Sequence, residues 1–163
     1  MIQKEIYLAG GCFWGMQAFF RRMSGVVETQ VGYANGKGEN PSYQQVCSGE
    51  TGFAETLYIK YDQEVVCLNI LLDYFFYIID PYSVNRQGED EGTQYRSGIY
   101  YSDSTDEKAL ALYMEDIRHH FLKPIVTEVL PLANFYPAEE YHQDYLEKNP
   151  QGYCHINLSL LRK

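Results

Sequence analysis

The chain has 163 residues, 45% of them hydrophobic and 21% charged, with a formal net charge of −9. That length and balance fit one globular domain with a real apolar core, spanning 1–163, and exclude a disordered chain. The acidic balance argues against non-specific nucleic-acid binding, which needs Lys and Arg to neutralise phosphates.

In chain order, a strand is expected over residues 4–8, running into Ala9-Gly10-Gly11. Phe13, Met16, Phe19, Phe20 and Met23 then recur at helical spacing, which predicts a helix over 12–23. A strand over 26–33 leads to a turn at Asn35-Gly36-Lys37-Gly38, and a second good strand covers 54–61. A largely buried helix is expected over 65–79, stopped by Asp80-Pro81. Residues 80–96 show no period, and a loop of that length in a compact domain is usually functional. A strand at 99–101 precedes a helix from a capped start at Ser104 to about Phe121. A strand over 125–130 and a short helix over 138–148 complete the reading, with 149–163 as a C-terminal tail. Strands and helices mix without regular βαβ repetition, so the expected class is α+β, a two-layer sandwich of one mixed sheet with helices packed on it.

The N-terminus carries no basic-then-apolar run, and the apolar stretch 67–79 is interrupted by Asn69 and Asp73 and too short to span a bilayer. A cytoplasmic location is expected, with reduced thiols and no membrane partner. The four cysteines (Cys12, Cys47, Cys67 and Cys154) then make a poor disulfide framework. They lack close Cys/His pairing, so no metal site is expected. Cys47 and Cys67 read as buried and inert. Most of the sixteen tyrosines read as amphipathic core filler.

The sharpest local feature is Gly10-Gly11-Cys12-Phe13-Trp14-Gly15, at the junction of a strand and a helix. A cysteine at a helix start faces unpaired N–H groups and the positive end of the dipole, which favour thiolate. The adjoining aromatics suggest an apolar pocket for a small neutral group. On these residues alone a reactive thiol and a buried core cysteine stand as even alternatives.

Gly11-Cys12-Phe13-Trp14-Gly15 resembles the signature of the A-type peptide methionine sulfoxide reductases. The resemblance continues through Gly32-Tyr33-Ala34-Asn35-Gly36, Pro41-Ser42-Tyr43, and Gly49-Glu50-Thr51-Gly52-Phe53-Ala54-Glu55. It resumes at Asn85-Arg86-Gln87-Gly88 and Gly92-Thr93-Gln94-Tyr95-Arg96-Ser97. It closes with Ala138-Glu139-Glu140-Tyr141-His142-Gln143 and Asn149-Pro150-Gln151-Gly152-Tyr153-Cys154. It implies reduction of the S epimer of methionine sulfoxide, free or in peptides and oxidised proteins, with Cys12 as nucleophile. By the same resemblance Glu55 is the proton donor, Tyr43 and Tyr95 are hydroxyl donors to the sulfoxide oxygen, and Asp90 joins them through a water. Phe13 and Trp14 would hold the methyl group. Cys154 would resolve the sulfenic acid as a disulfide, reduced by thioredoxin or another external thiol, with no cofactor.

Two departures stand out. Phe53 occupies a position where members often have His, and Glu89-Asp90-Glu91 is unusually acidic, which would disfavour acidic peptides. Cys154 is followed by His155-Ile156-Asn157-Leu158 where many members carry a longer Gly-rich tail and a further cysteine. His142 matches a family position but reads as structural on a helix. A thiol hydrolase is the rival class and would need a His base near Cys12; the histidines at 119, 120, 142 and 155 belong to no local motif. The other rival is a tyrosine-rich binding module with Cys12 buried.

Overall fold

The computed structural model describes residues 2–154 and 156; residues 155 and 157–163 of the expected tail lie outside the described residues. In chain order the elements are β1 (Gln3–Gly10), α1 (Phe13–Phe20), β2 (Val26–Ala34), α2 (Tyr43–Cys47), β3 (Ala54–Asp62) and α3 (Leu68–Ile78). They continue with β4 (Arg86–Gln87), β5 (Asp90–Glu91), β6 (Ser97–Tyr101), α4 (Thr105–Arg118), β7 (Glu128–Pro131), β8 (Phe135–Pro137) and α5 (Tyr145–Lys148). Six strands form one sheet in the order β7-β6-β1-β3-β2-β8, antiparallel except for the parallel β6–β7 pair. This is the expected α+β class with a mixed sheet.

Strand alternation builds the main core. Ile6 and Leu8 of β1, Leu57 and Ile59 of β3, and Val31 of β2 join one cluster with Phe13, Met16, Phe19 and Phe20 of α1 and Leu71, Leu72 and Phe75 of α3. The opposite face carries a small cluster of Ala9, Ala34, Ala54 and Tyr100, flanked by Tyr7, Leu132 and Phe135. Residues i and i+1 on one strand thus serve two different layers. Among the described residues no helix is long and apolar enough to cross a membrane.

Several expectations are corrected. The helix over 138–148 is interrupted: a 3-10 turn covers Glu140–His142, and Asp144 sits at φ 52° before α5. The left-handed residue breaks the ladder that helical spacing alone suggests. β8 and the β4–β5 hairpin were not expected, being strands of three and two residues, too short for a period to register. The start of α4 is capped by Asp103, whose Oδ1 accepts from the Thr105 N–H at 2.9 Å and Oγ1 at 2.7 Å, and Ser104 makes no side-chain cap. Cys47 and Cys67 are exposed. Cys67 is the N-cap of α3 instead of an interior residue, and α2 buries only Val46.

Candidate active site

β1 ends at Gly10, Gly11 turns at φ 89°, and Cys12 is the N-cap of α1. A Cβ on Gly10 would stand 2.7 Å from Ile79 Cγ2 and 3.0 Å from Met16 Sδ, so only glycine lets the strand end pack this closely. Cys12 is buried at 8% exposure. Burial pushes its thiol up, the Glu55 carboxyl pushes further the same way, and the Trp14 N–H at the helix start pulls it down by less. Of the two opposing influences the sequence offered, burial is the larger, and it favours the protonated thiol in the free site.

Glu55 lies in β3 at 1% exposure. Its Oε1 accepts from the Phe13 N–H at 3.3 Å, while Oε2, also buried, has no hydrogen-bond partner among the described residues. Burial raises its pKa to about 8 against the pull of the Phe13 N–H. At neutral pH it is a protonated acid beside a sulfur. Its charge state is felt by the Cys12 thiol and by the hydroxyls of Tyr33, Tyr43 and Tyr95, which places all five groups in one electrostatic cluster.

Tyr43 opens α2 and Tyr95 closes the 3-10 turn Thr93–Tyr95, and the two hydroxyls influence each other's ionisation. Burial raises the pKa of both, so they remain O–H donors. Tyr43 also engages the Cys47 thiol. The loop 80–96 that carries Tyr95 is organised from within: Gln87 Oε1 accepts from the Asp80 N–H at 2.9 Å and its Nε2 donates to the Asp80 carbonyl at 2.6 Å. Of the acidic run, Glu89 and Glu91 are exposed while Asp90 is half-buried, and its charge acts on Cys12, Glu55 and Tyr95.

The C-terminal side of the chain closes the cluster. Tyr153 donates to Asp90 Oδ2 at 3.2 Å. Cys154 is half-buried, donates its S–H to the Ile156 carbonyl at 3.1 Å, and interacts electrostatically with Cys12. All four cysteines are free thiols.

Phe13 is 1% exposed, with its ring 5.7 Å from Tyr33 and 5.3 Å from His142. Trp14 stacks on Tyr145 at 3.8 Å and donates its indole N–H to His142 Nδ1 at 2.9 Å. His142 is thereby held neutral with its proton on Nε2, an atom without a partner among the described residues, and burial lowers its pKa. The helix expected over 138–148 concealed this contact, which a 3-10 turn at Glu140–His142 makes by burying the imidazole against Trp14. Phe53, at the position often taken by His, is buried and meets Tyr136 edge-on at 5.9 Å, so the wall here is apolar. A separate cavity of about 370 Å³ between α3 and α4 is lined by Asp73, Tyr77, Tyr113 and His120 among others, and by no cysteine.

Known proteins give the same picture. A family model described as peptide methionine sulfoxide reductase matches residues 4–163. A relative from Clostridium botulinum strain Okra, named peptide methionine sulfoxide reductase MsrA, is 58% identical over 155 residues, covering 95% of this chain and 99% of the relative. The structure of reduced Mxr1 from Saccharomyces cerevisiae superposes with a TM-score of 0.90 at 45% identity, covering 95% of this chain and 91% of that one. Mxr1 in complex with Trx2 is similar at a TM-score of 0.63 and 32% identity, covering 88% and 84%.

Proposed function

The chain belongs to the peptide methionine sulfoxide reductase family, enzymes that reduce methionine sulfoxide at the expense of thiols, and from that premise we propose how its own residues divide the work. The observation that carries the reading is the buried, unpartnered Oε2 of a protonated Glu55 beside buried Cys12. A sulfoxide carries positive charge on sulfur and negative charge on oxygen. Its sulfur beside Cys12 offsets the burial that keeps the thiol protonated, and its oxygen meets Glu55, Tyr43 and Tyr95. Cys12 gives up its proton to water and the thiolate attacks sulfur, forming an S–S bond while Glu55 protonates the sulfoxide oxygen. That oxygen passes to the Cys12 sulfur as the S–S bond and the old S–O bond break, leaving a sulfenic acid on Cys12 and methionine as the thioether. The tyrosine O–H groups stabilise charge on that oxygen, worth a few kcal/mol when donors are preorganised.

Phe13 and Trp14 hold the methyl group, with burial worth only about 1 kcal/mol, so they orient more than they bind. Asp90 joins the hydroxyl network. The Cys154 thiol then condenses with the sulfenic acid, forming the disulfide and releasing water, and the dithiol of thioredoxin takes up the disulfide. Support for thioredoxin comes from the Mxr1–Trx2 complex. The chain works as one domain with its residues 149–163 as the recycling tail, in the cytoplasm, without a cofactor, on free or peptide-bound methionine sulfoxide.

With dithiothreitol, the protein reduces the S epimer of N-acetylmethionine sulfoxide and leaves the R epimer. Chiral chromatography of the residual substrate reads the outcome. Equal consumption of both epimers, or activity in Cys12→Ser, overturns the assignment.

A further inference from the structure

The segment Ala138-Glu139-Glu140-Tyr141-His142-Gln143 carries a carboxylate to which no role has been given. Glu139 Oε1 accepts from the Tyr33 hydroxyl at 2.8 Å, and Oε2 accepts from the Tyr43 main-chain N–H at 2.9 Å. Its two donors come from β2 and from the first residue of α2. α2 is five residues long and buries only Val46. Its own start is already satisfied by a capping box, with the Ser42 hydroxyl accepting from the Gln45 N–H at 3.2 Å and Gln45 Oε1 accepting from the Ser42 N–H at 2.9 Å. The cap holds the helix together but does not say where the helix sits. The Glu139 bridge does: Tyr33 is fully buried in β2 and stands directly across from Glu55 in the β2–β3 register.

We propose that Glu139 is a positioning residue, whose bidentate bridge from Tyr33 to the main chain of Tyr43 fixes the distance between the oxygen-binding hydroxyl on α2 and the acid on β3. Glu139 touches neither substrate nor sulfur. It acts through Tyr43, so the inference rests on the role given to Tyr43 above. An anchor that fixes a transition-state donor changes kcat more than KM.

The test is a double-mutant cycle in single-turnover reduction of N-acetylmethionine S-sulfoxide with dithiothreitol, read as methionine formed per second. Glu139→Ala lowers kcat by about 10- to 100-fold with KM within about threefold, below the 10²–10³ loss typical of deleting an oxyanion donor outright. Glu139→Gln restores most of this, because its carbonyl oxygen can face the Tyr43 N–H while its amide donates to the Tyr33 oxygen. In a Tyr43→Phe background, Glu139→Ala costs less than about twofold more, the non-additivity of groups that act as a unit. Should Glu139→Ala fail to fold, Glu139→Asp serves in its place, keeping the charge but too short to span both donors. Equal losses in the wild-type and Tyr43→Phe backgrounds overturn the proposal, as does an unimpaired Glu139→Ala beside an impaired Tyr43→Phe. An unimpaired Tyr43→Phe overturns the Tyr43 reading together with it.

Discussion

Burial holds Glu55 as a protonated acid, the form that can donate, and holds Cys12 as a protonated thiol, the form that cannot attack. Arming the site from that state takes one proton from the thiol and leaves Glu55 its own proton to give to the sulfoxide oxygen. Glu55→Gln separates the two contributions. Above pH 8 it removes a carboxylate charge from beside the sulfur, so the thiol pKa falls and alkylation of Cys12 by iodoacetamide at pH 9 becomes faster than in wild type. Turnover nevertheless drops by about 10²-fold or more, the scale of a lost general acid. Slower alkylation in the variant contradicts the electrostatic coupling. The sequence made Cys12 and Glu55 legible through motif resemblance, but its residues alone left the thiol open between a reactive and a buried one. A helix N-terminus can be read from neighbouring residues, whereas burial depends on α3 and β3, which are distant in sequence.

The elements that hold these residues were legible in proportion to their length. β1, β2, β3, α3 and α4 carry enough residues for a period to register. β8, the β4–β5 hairpin and the 3-10 turns do not, and they supply much of the site's frame. The loop 80–96 was flagged by length alone, and its order comes from Gln87, 2% exposed, whose amide closes the loop on both polar groups of the Asp80 main chain. Gln87→Ala leaves that N–H and C=O unsatisfied, at about 1–3 kcal/mol. The expected result is a raised KM and lowered kcat for the sulfoxide through misplacement of Tyr95 and Asp90. A second prediction concerns the strand end: Gly10→Ala forces its methyl against Ile79 and Phe75 and destabilises by about 1–3 kcal/mol, measured by urea unfolding.

For the molecule as a whole, the buried acid is a stability cost that varies with pH. The folded pKa of Glu55 is raised, from 4.5 to about 8. Below the unfolded value both states hold the proton and nothing is lost; above it the loss accumulates, and it is complete once pH has risen through the folded value, on the order of 5 kcal/mol in full. Glu55→Gln escapes that loss. Its advantage in urea unfolding over wild type is therefore small at pH 4 and grows steadily to pH 9; a pH-independent difference rules out a buried titrating carboxyl. Recycling is tested at the same scale. Cys154→Ser retains one turnover and full dithiothreitol activity but loses turnover with thioredoxin; undiminished thioredoxin activity would remove Cys154 from the cycle.

The bonds that complete the site join partners far apart along the chain. Trp14 reaches His142 across 128 positions, Tyr33 reaches Glu139 across 106, and Asp90 reaches Tyr153 across 63. On the ribosome Cys12 and Glu55 emerge before the wall behind the indole and the anchor for Tyr43. A nascent chain stalled before residue 138 has its cysteine and its sheet strands but no assembled chemistry. Such distant pairings also slow folding, because their ends must be brought together before they reward the chain. Reductase activity therefore waits on residues 138–153, and the Cys12 sulfur is kept from directed chemistry until they have folded against it.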